Sequence, residues 1–108
     1  MELDLFTVVC EYHGGTYISQ VRGRDEQQAM TEWAALLRGE RPIEGASDRI
    51  ARAVTESENT PVPLTGLNGV WCWTETVENV FVLTNIIRSA RPKGLSASDT
   101  SDKGSTRT

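Results

Sequence analysis

The chain has 108 residues, 38% of them hydrophobic and 24% charged, with a formal net charge of −4. That length fits one domain rather than two, and that composition belongs to a chain that builds a core without metal or disulfide staples. From Arg88 onward there are five basic and two acidic residues, against six basic and thirteen acidic before it, so the body carries −7 and the end +3. A body at −7 argues against nucleic acid as ligand, because that affinity comes from neutralising phosphates with Lys and Arg. It suits a basic protein partner, whose approach such a field accelerates.

Leu3 to Tyr12 reads as a strand, rich in apolar and strand-favouring residues. His13-Gly14-Gly15 is a tight turn, and Thr16 to Arg22 is the return strand. With Gly14-Gly15 as a two-residue loop, Tyr12 faces Tyr17, Cys10 faces Ser19 and Val8 faces Val21. Moving the turn by one residue shifts the pairing by two, so the faces survive. One face carries Phe6, Val8, Cys10, Tyr12, Tyr17 and Val21; the other mixes Leu5, Val9 and Ile18 with polar side chains.

Asp25 is a helix N-cap, and Gln28 completes a capping box. Ala29, Met30, Trp33, Ala34, Leu36 and Leu37 then form one apolar helical stripe. Gly39 ends this helix as its C′ residue, and Pro42 blocks continuation. Ser47 caps a second, thinner helix from Asp48 to Ser57, and Glu58 to Asn68 is a loop holding Pro61, Pro63 and Gly66. Gly69 to Val77 and Val80 to Arg88 form a second hairpin turning at Glu78-Asn79. Trp71, Trp73, Val77, Val80, Val82 and Ile86 share one of its faces.

The expected fold is α+β: a four-stranded antiparallel sheet of two β-hairpins in ββααββ order, with both helices on one face. Residues 1–91 form the domain. Residues 92–108, rich in Ser, Thr, Gly and charge, form a disordered tail. The acidic start lacks an apolar leader core and no run is long enough to span a bilayer, so the expected compartment is the cytoplasm, with no membrane role. Reduced, buried thiols are then expected for Cys10 and Cys72, with a bridge between them left open if their strands are neighbours.

The chemistry-bearing residues are few. His13 sits at a hairpin tip, and Cys10, three residues away along a strand, points to the other face. One histidine and two separated cysteines do not make a zinc site, and no nucleophile, base and orienting group assemble. The chain is therefore expected to be no enzyme and to need no cofactor. Aromatics and carboxylates carry the binding expectation instead. Trp71 and Trp73 with Glu75 form a contact surface if their face is open, and core if the helices cover it. Glu40, Glu44 and Asp48, on the connection between the helices, meet Arg or Lys of a partner. In size and acidity the chain resembles the small immunity proteins of toxin systems, which implies inhibition of a basic partner protein. The alternative is a homodimer holding a small ligand, or acting as an enzyme, in a pocket near Tyr12, Tyr17, Trp33 and Cys72.

Overall fold

The computed structural model describes residues 3–90; the expected tail, 92–108, lies outside them. Seven elements follow in order: β1 (Asp4–Tyr12), β2 (Gly15–Gly23), α1 (Glu26–Glu40), α2 (Ser47–Glu56), β3 (Val62–Pro63), β4 (Val70–Val77) and β5 (Val80–Ala90). The fold is α+β, with two helices against one antiparallel sheet ordered β2-β1-β5-β4-β3.

The sheet therefore has five strands where the sequence suggested four. The addition is β3, in the stretch read as loop, where Val62 pairs with Cys72 and Pro63 with Trp71. Proline lacks a ladder donor, which confines it to a sheet edge, and the two-residue β3 lies at one. Leu64 N then donates to Val70 O at 3.0 Å and prolongs the contact.

In the first hairpin the loop is His13-Gly14 rather than Gly14-Gly15. Both residues take positive φ, 51° and 83°, as a two-residue hairpin turn requires. Tyr12 pairs with Gly15, Cys10 with Tyr17 and Val8 with Ser19. The register thus moves by two residues and every side chain keeps its expected face. Gly15 belongs in the strand because the Tyr17 phenol folds over it; a Cβ there would lie 2.8 Å from Tyr17 Oη. The second hairpin turns at Glu78-Asn79 as expected, with φ of 51° and 70° and Val77 opposite Val80.

Asp25 caps α1 through Oδ1, which accepts from Gln28 N at 2.9 Å. Gln28 reaches back to accept from Arg24 N at 2.7 Å, one residue earlier than the reciprocal bond of a standard capping box. The helix runs through Gly39 to Glu40, so Gly39 is not the stop. Arg41 takes the left-handed conformation instead, and its N–H bonds Leu37 O at 3.0 Å before Pro42 ends the run. Ser47 does not cap α2 either. It is buried as the first helical residue, and its hydroxyl accepts from Ile43 N (2.8 Å) and donates to Ile43 O (3.0 Å), which ties down the α1–α2 connection.

Both helices pack on one face of the sheet. Phe6, Val8 and Cys10 of β1, Val82 and Ile86 of β5 and Trp73 of β4 meet Ala29, Met30, Trp33, Ala34 and Leu37 of α1 and Ile50 and Ala51 of α2. The two central strands, β1 and β5, come from opposite ends of the described chain. They share a ladder from Leu5–Ala90 to Tyr12–Val82, with one bulge between Leu5 and Phe6.

Candidate functional site

Strand alternation sorts the candidate residues before any chemistry does, since neighbouring side chains on a strand point to opposite faces. Trp71, Trp73 and Glu75 fall on the helix-covered face. Trp73 is 1% exposed and stands edge-on to Trp33, ring centroids 6.5 Å apart at 77°. Its indole N–H donates to Asn59 O at 3.3 Å. Trp71 is half-buried beside Phe6, with the Arg88 guanidinium 5.3 Å from its ring and 5.6 Å from that of Phe6. Arg88 Nε lies 2.9 Å from Asp4 Oδ2, so this cation is held between two rings and a carboxylate. Glu75 Oε1 accepts from Ser57 Oγ (2.6 Å) and Asn59 Nδ2 (2.8 Å), fastening the end of α2 to β4. All three residues serve the fold: Trp73 lies in the core, Trp71 packs half-buried at its edge, and Glu75 is engaged within the chain, so the helix-covered alternative holds for this face.

The acidic candidates sit elsewhere. Glu40 closes α1, Glu44 lies in the connection and Asp48 in the first turn of α2, all exposed. Arg41 pairs with Asp48. Arg49 Nε approaches Glu78 Oε1 at 3.0 Å, and Arg52 Nε approaches Glu56 Oε2 at 3.4 Å. Glu32, Glu40, Glu44 and Glu58 stay exposed on the helix layer and its connections without an ion pair among the described residues. Negative charge is thus displayed on the helical side.

The alternative pocket does not form as a unit. Tyr12 and Tyr17 do line a cleft of about 390 Å³, with His13, Glu44, Arg49 and Glu78 around it. Trp33, however, is sealed in the core, and Cys72 faces the other side of the sheet. Cys10 and Cys72 cannot be bridged, because β5 separates their strands and they point to opposite faces; both are free thiols.

The thiols differ in chemistry. Burial pushes the Cys10 thiol up to about 11; the facing Thr84 hydroxyl lowers it, and the Glu11 carboxylate adds to the rise. Its protonated form is the one that folding favours, so this contribution is complete below the unfolded thiol's range near 8.5. It is lost as pH climbs through about 11. At pH 8 a thiol reagent is therefore expected to label one cysteine of the native protein, Cys72, and the second only after denaturation. Peptide mapping checks this, and rapid native labelling of Cys10 would contradict the packing described.

The sheet's other face is the one the helices leave open; the sequence implies an open apolar face without deciding which of the two it is. Ile18 is 66% exposed, and Val62 and Phe81 are each 59% exposed, all three pointing away from the helices. Leu5, Val9, Val70, Leu83 and Ile87 lie half-buried among them. Alternation alone sets Ile18 with Leu5 and Val9 in the first hairpin, and Phe81 with Val70, Cys72, Leu83 and Ile87 in the second; the β1–β5 ladder puts the two sets on one face. Val62 was hidden between two prolines, where local chemistry reads as loop. A connected apolar set of this kind marks interaction surfaces on small domains.

Among the described residues, no group of three or more His, Cys, Asp or Glu could hold a metal ion, and no helix is long and apolar enough to cross a membrane. No protein-family model, curated protein or solved structure matches the chain.

Proposed function

We propose that the chain is a small acidic protein-binding module, acting by association rather than catalysis, and that the open face of its sheet is the binding surface. One observation carries the reading: Ile18, Val62 and Phe81 are each more than half exposed on the same sheet face. Burying the exposed part of three such side chains gains about 1–2 kcal/mol each in transfer free energy, against which the lost freedom of association is set. The −7 body supplies the second part of the proposal. Most of its carboxylates lie on the helical side rather than around the open face, so they act through the net field of the body, which raises the encounter rate of a basic protein, as an immunity or antitoxin-like inhibitor requires, more than they add to the final contact.

The test compares the full chain with its Ile18→Asp/Phe81→Asp double variant as affinity baits in host lysate, at low and high salt. The expected result is a basic protein retained in stoichiometric amount by the wild-type chain, lost from the double variant and captured more slowly at high salt. Retention of the same protein by the double variant, with circular dichroism unchanged, would refute the assignment of the open face.

A further inference from the structure

The open face has a symmetry of its own, which identifies an occupant. Strand pairing places Ile18, Val9, Asn85, Cys72 and Val62 in one row across the five strands, from β2 to β3. Two residues along on one side lie Thr16, Glu11, Leu83 and Thr74; two residues along on the other lie Gln20, Thr7, Ile87 and Val70. Phe81 extends the first side, and Leu5 with Arg22 extends the second. The charged side chains of this face are one of each sign at opposite ends: Glu11 on β1 and Arg22 on β2, both exposed.

We infer that the open face pairs with the same face of a second copy, about a two-fold axis that crosses the strands at the Ile18–Cys72 row. This rests on the open face being the interaction surface and concerns the free chain: the second copy covers that face until the basic protein of the proposed function displaces it. A two-fold interface sets a patch against itself, so every contact occurs twice. The stated axis keeps each strand over its own copy and reverses its direction. Ile18, Val9 and Val62 then meet their own copies, Leu83 meets Ile87, and Phe81 comes over the Leu5 end. Glu11 comes near Arg22 of the second copy, one strand across and two residues along, within reach of the two long side chains over the roughly 10 Å that separates packed sheets.

An axis parallel to the strands also stacks apolar on apolar. Each axis sets Glu11 over a threonine, Thr7 for the crossing axis and Thr74 for this one, but only the crossing axis brings Arg22 within side-chain reach of a carboxylate, so the charges select it. Four full strands at about 4.8 Å spacing and about 30 Å length give a flat footprint of roughly 600 Å². That is below the about 800 Å² per partner of stable complexes, at the low end where weak association is found, so a concentration-dependent dimer is expected.

Sedimentation equilibrium of the full chain, from about 1 to about 200 µM, tests this directly, since the range brackets micromolar dissociation constants. A monomer–dimer equilibrium is expected. Ile18→Asp and Phe81→Asp should each weaken it by about tenfold or more. Glu11→Arg and Arg22→Glu should each weaken it several-fold, and the two together should restore it, because the pair is rebuilt with its signs exchanged. Cys72 lies on the axis, so a short bismaleimide should join two chains through it in the wild type and not in Phe81→Asp.

A chain that stays monomeric at 200 µM would overturn the inference. So would a dimer indifferent to the four substitutions, a double charge exchange that restores nothing, or a Cys72 that does not cross-link. The exposed positions chosen leave the core intact, and far-ultraviolet circular dichroism verifies that each variant folds. A strictly monomeric chain that still loses a host protein on Ile18→Asp/Phe81→Asp substitution would refute the second copy and leave the open face as a heterologous binding surface.

Discussion

Replacing Trp73 by alanine is expected to remove about 3–5 kcal/mol of folding stability, the usual loss when a large aromatic leaves a closed core. Trp73 is 1% exposed and projects from β4 into the helix layer, against the edge of Trp33. The substitution opens a cavity that the surrounding strands can only partly collapse. It also strands Asn59 O, which now accepts the indole N–H at 3.3 Å. Domains of this size have about 5–15 kcal/mol in hand, so the variant stands near the threshold of folding. The urea midpoint should fall by roughly 2 M, and the near-ultraviolet signal of the tryptophan pair should disappear. A double-mutant cycle with Trp33→Ala should return a coupling of about 0.5–1.5 kcal/mol for the edge-to-face contact. Losses below about 1 kcal/mol would mean that the two rings are not packed as described.

Two glycines should respond to the same change with opposite signs. At Gly23, where β2 gives way to α1, an added Cβ would lie 3.0 Å from Ala29 N, 3.3 Å from Asp25 O and 3.4 Å from Ala29 Cα. The atoms in the way are backbone, fixed by the helix start that Asp25 caps, so they cannot turn aside. Gly23→Ala is expected to cost about 1–3 kcal/mol, in the range of overpacking. Gly39 lies inside the last turn of α1, where an added Cβ meets nothing within 4 Å. There alanine removes backbone freedom from the unfolded chain and gains helix propensity, stabilising by about 0.5 kcal/mol. Thermal melts should separate the variants clearly, since about 1 kcal/mol moves the midpoint of such a domain by roughly 4–8 °C. A stabilised Gly23→Ala would show that the β2–α1 corner is looser than the geometry requires.

Gly39 and Ser47 show where local signals stopped being sufficient. Gly39 looks like a helix stop because glycine favours the left-handed residue that ends helices. The structure gives that role to Arg41, whose N–H reaches Leu37 O, since the helix gains another turn against α2 before Pro42 forbids more. Ser47 looks like a cap and is used as a clasp on Ile43, because its hydroxyl is buried where two donor–acceptor partners are already in place. Both outcomes use a partner four residues away, but which residue takes the role depends on the burial of the α1–α2 connection, which the flanking residues do not show.

The proposed site divides along the same line. Period-two alternation determined the two faces of each hairpin, and a register shift of two residues left them intact, so Ile18 with Val9, and Phe81 with Leu83 and Ile87, were legible as two separate sets from the chain alone; the β1–β5 ladder joined them into one face. So were both hairpins, the cap at Asp25 and the apolar stripe of α1, because each follows from contacts within a few residues. Which face the helices cover was a tertiary decision. It went to the face holding Phe6, Trp73 and Ile86, whose larger side chains fill the space against Trp33 and Leu37. That choice buried the tryptophans, turned Glu75 into a fastening and left Ile18, Val62 and Phe81 exposed. Strand order was tertiary as well: β1 and β5 meet across the length of the domain, and β3 exists only because β4 offers an edge on which a proline-bounded segment can pair. Alternation and capping are short-range and act wherever the residues occur, whereas coverage and pairing compare distant surfaces, and only the folded chain makes that comparison.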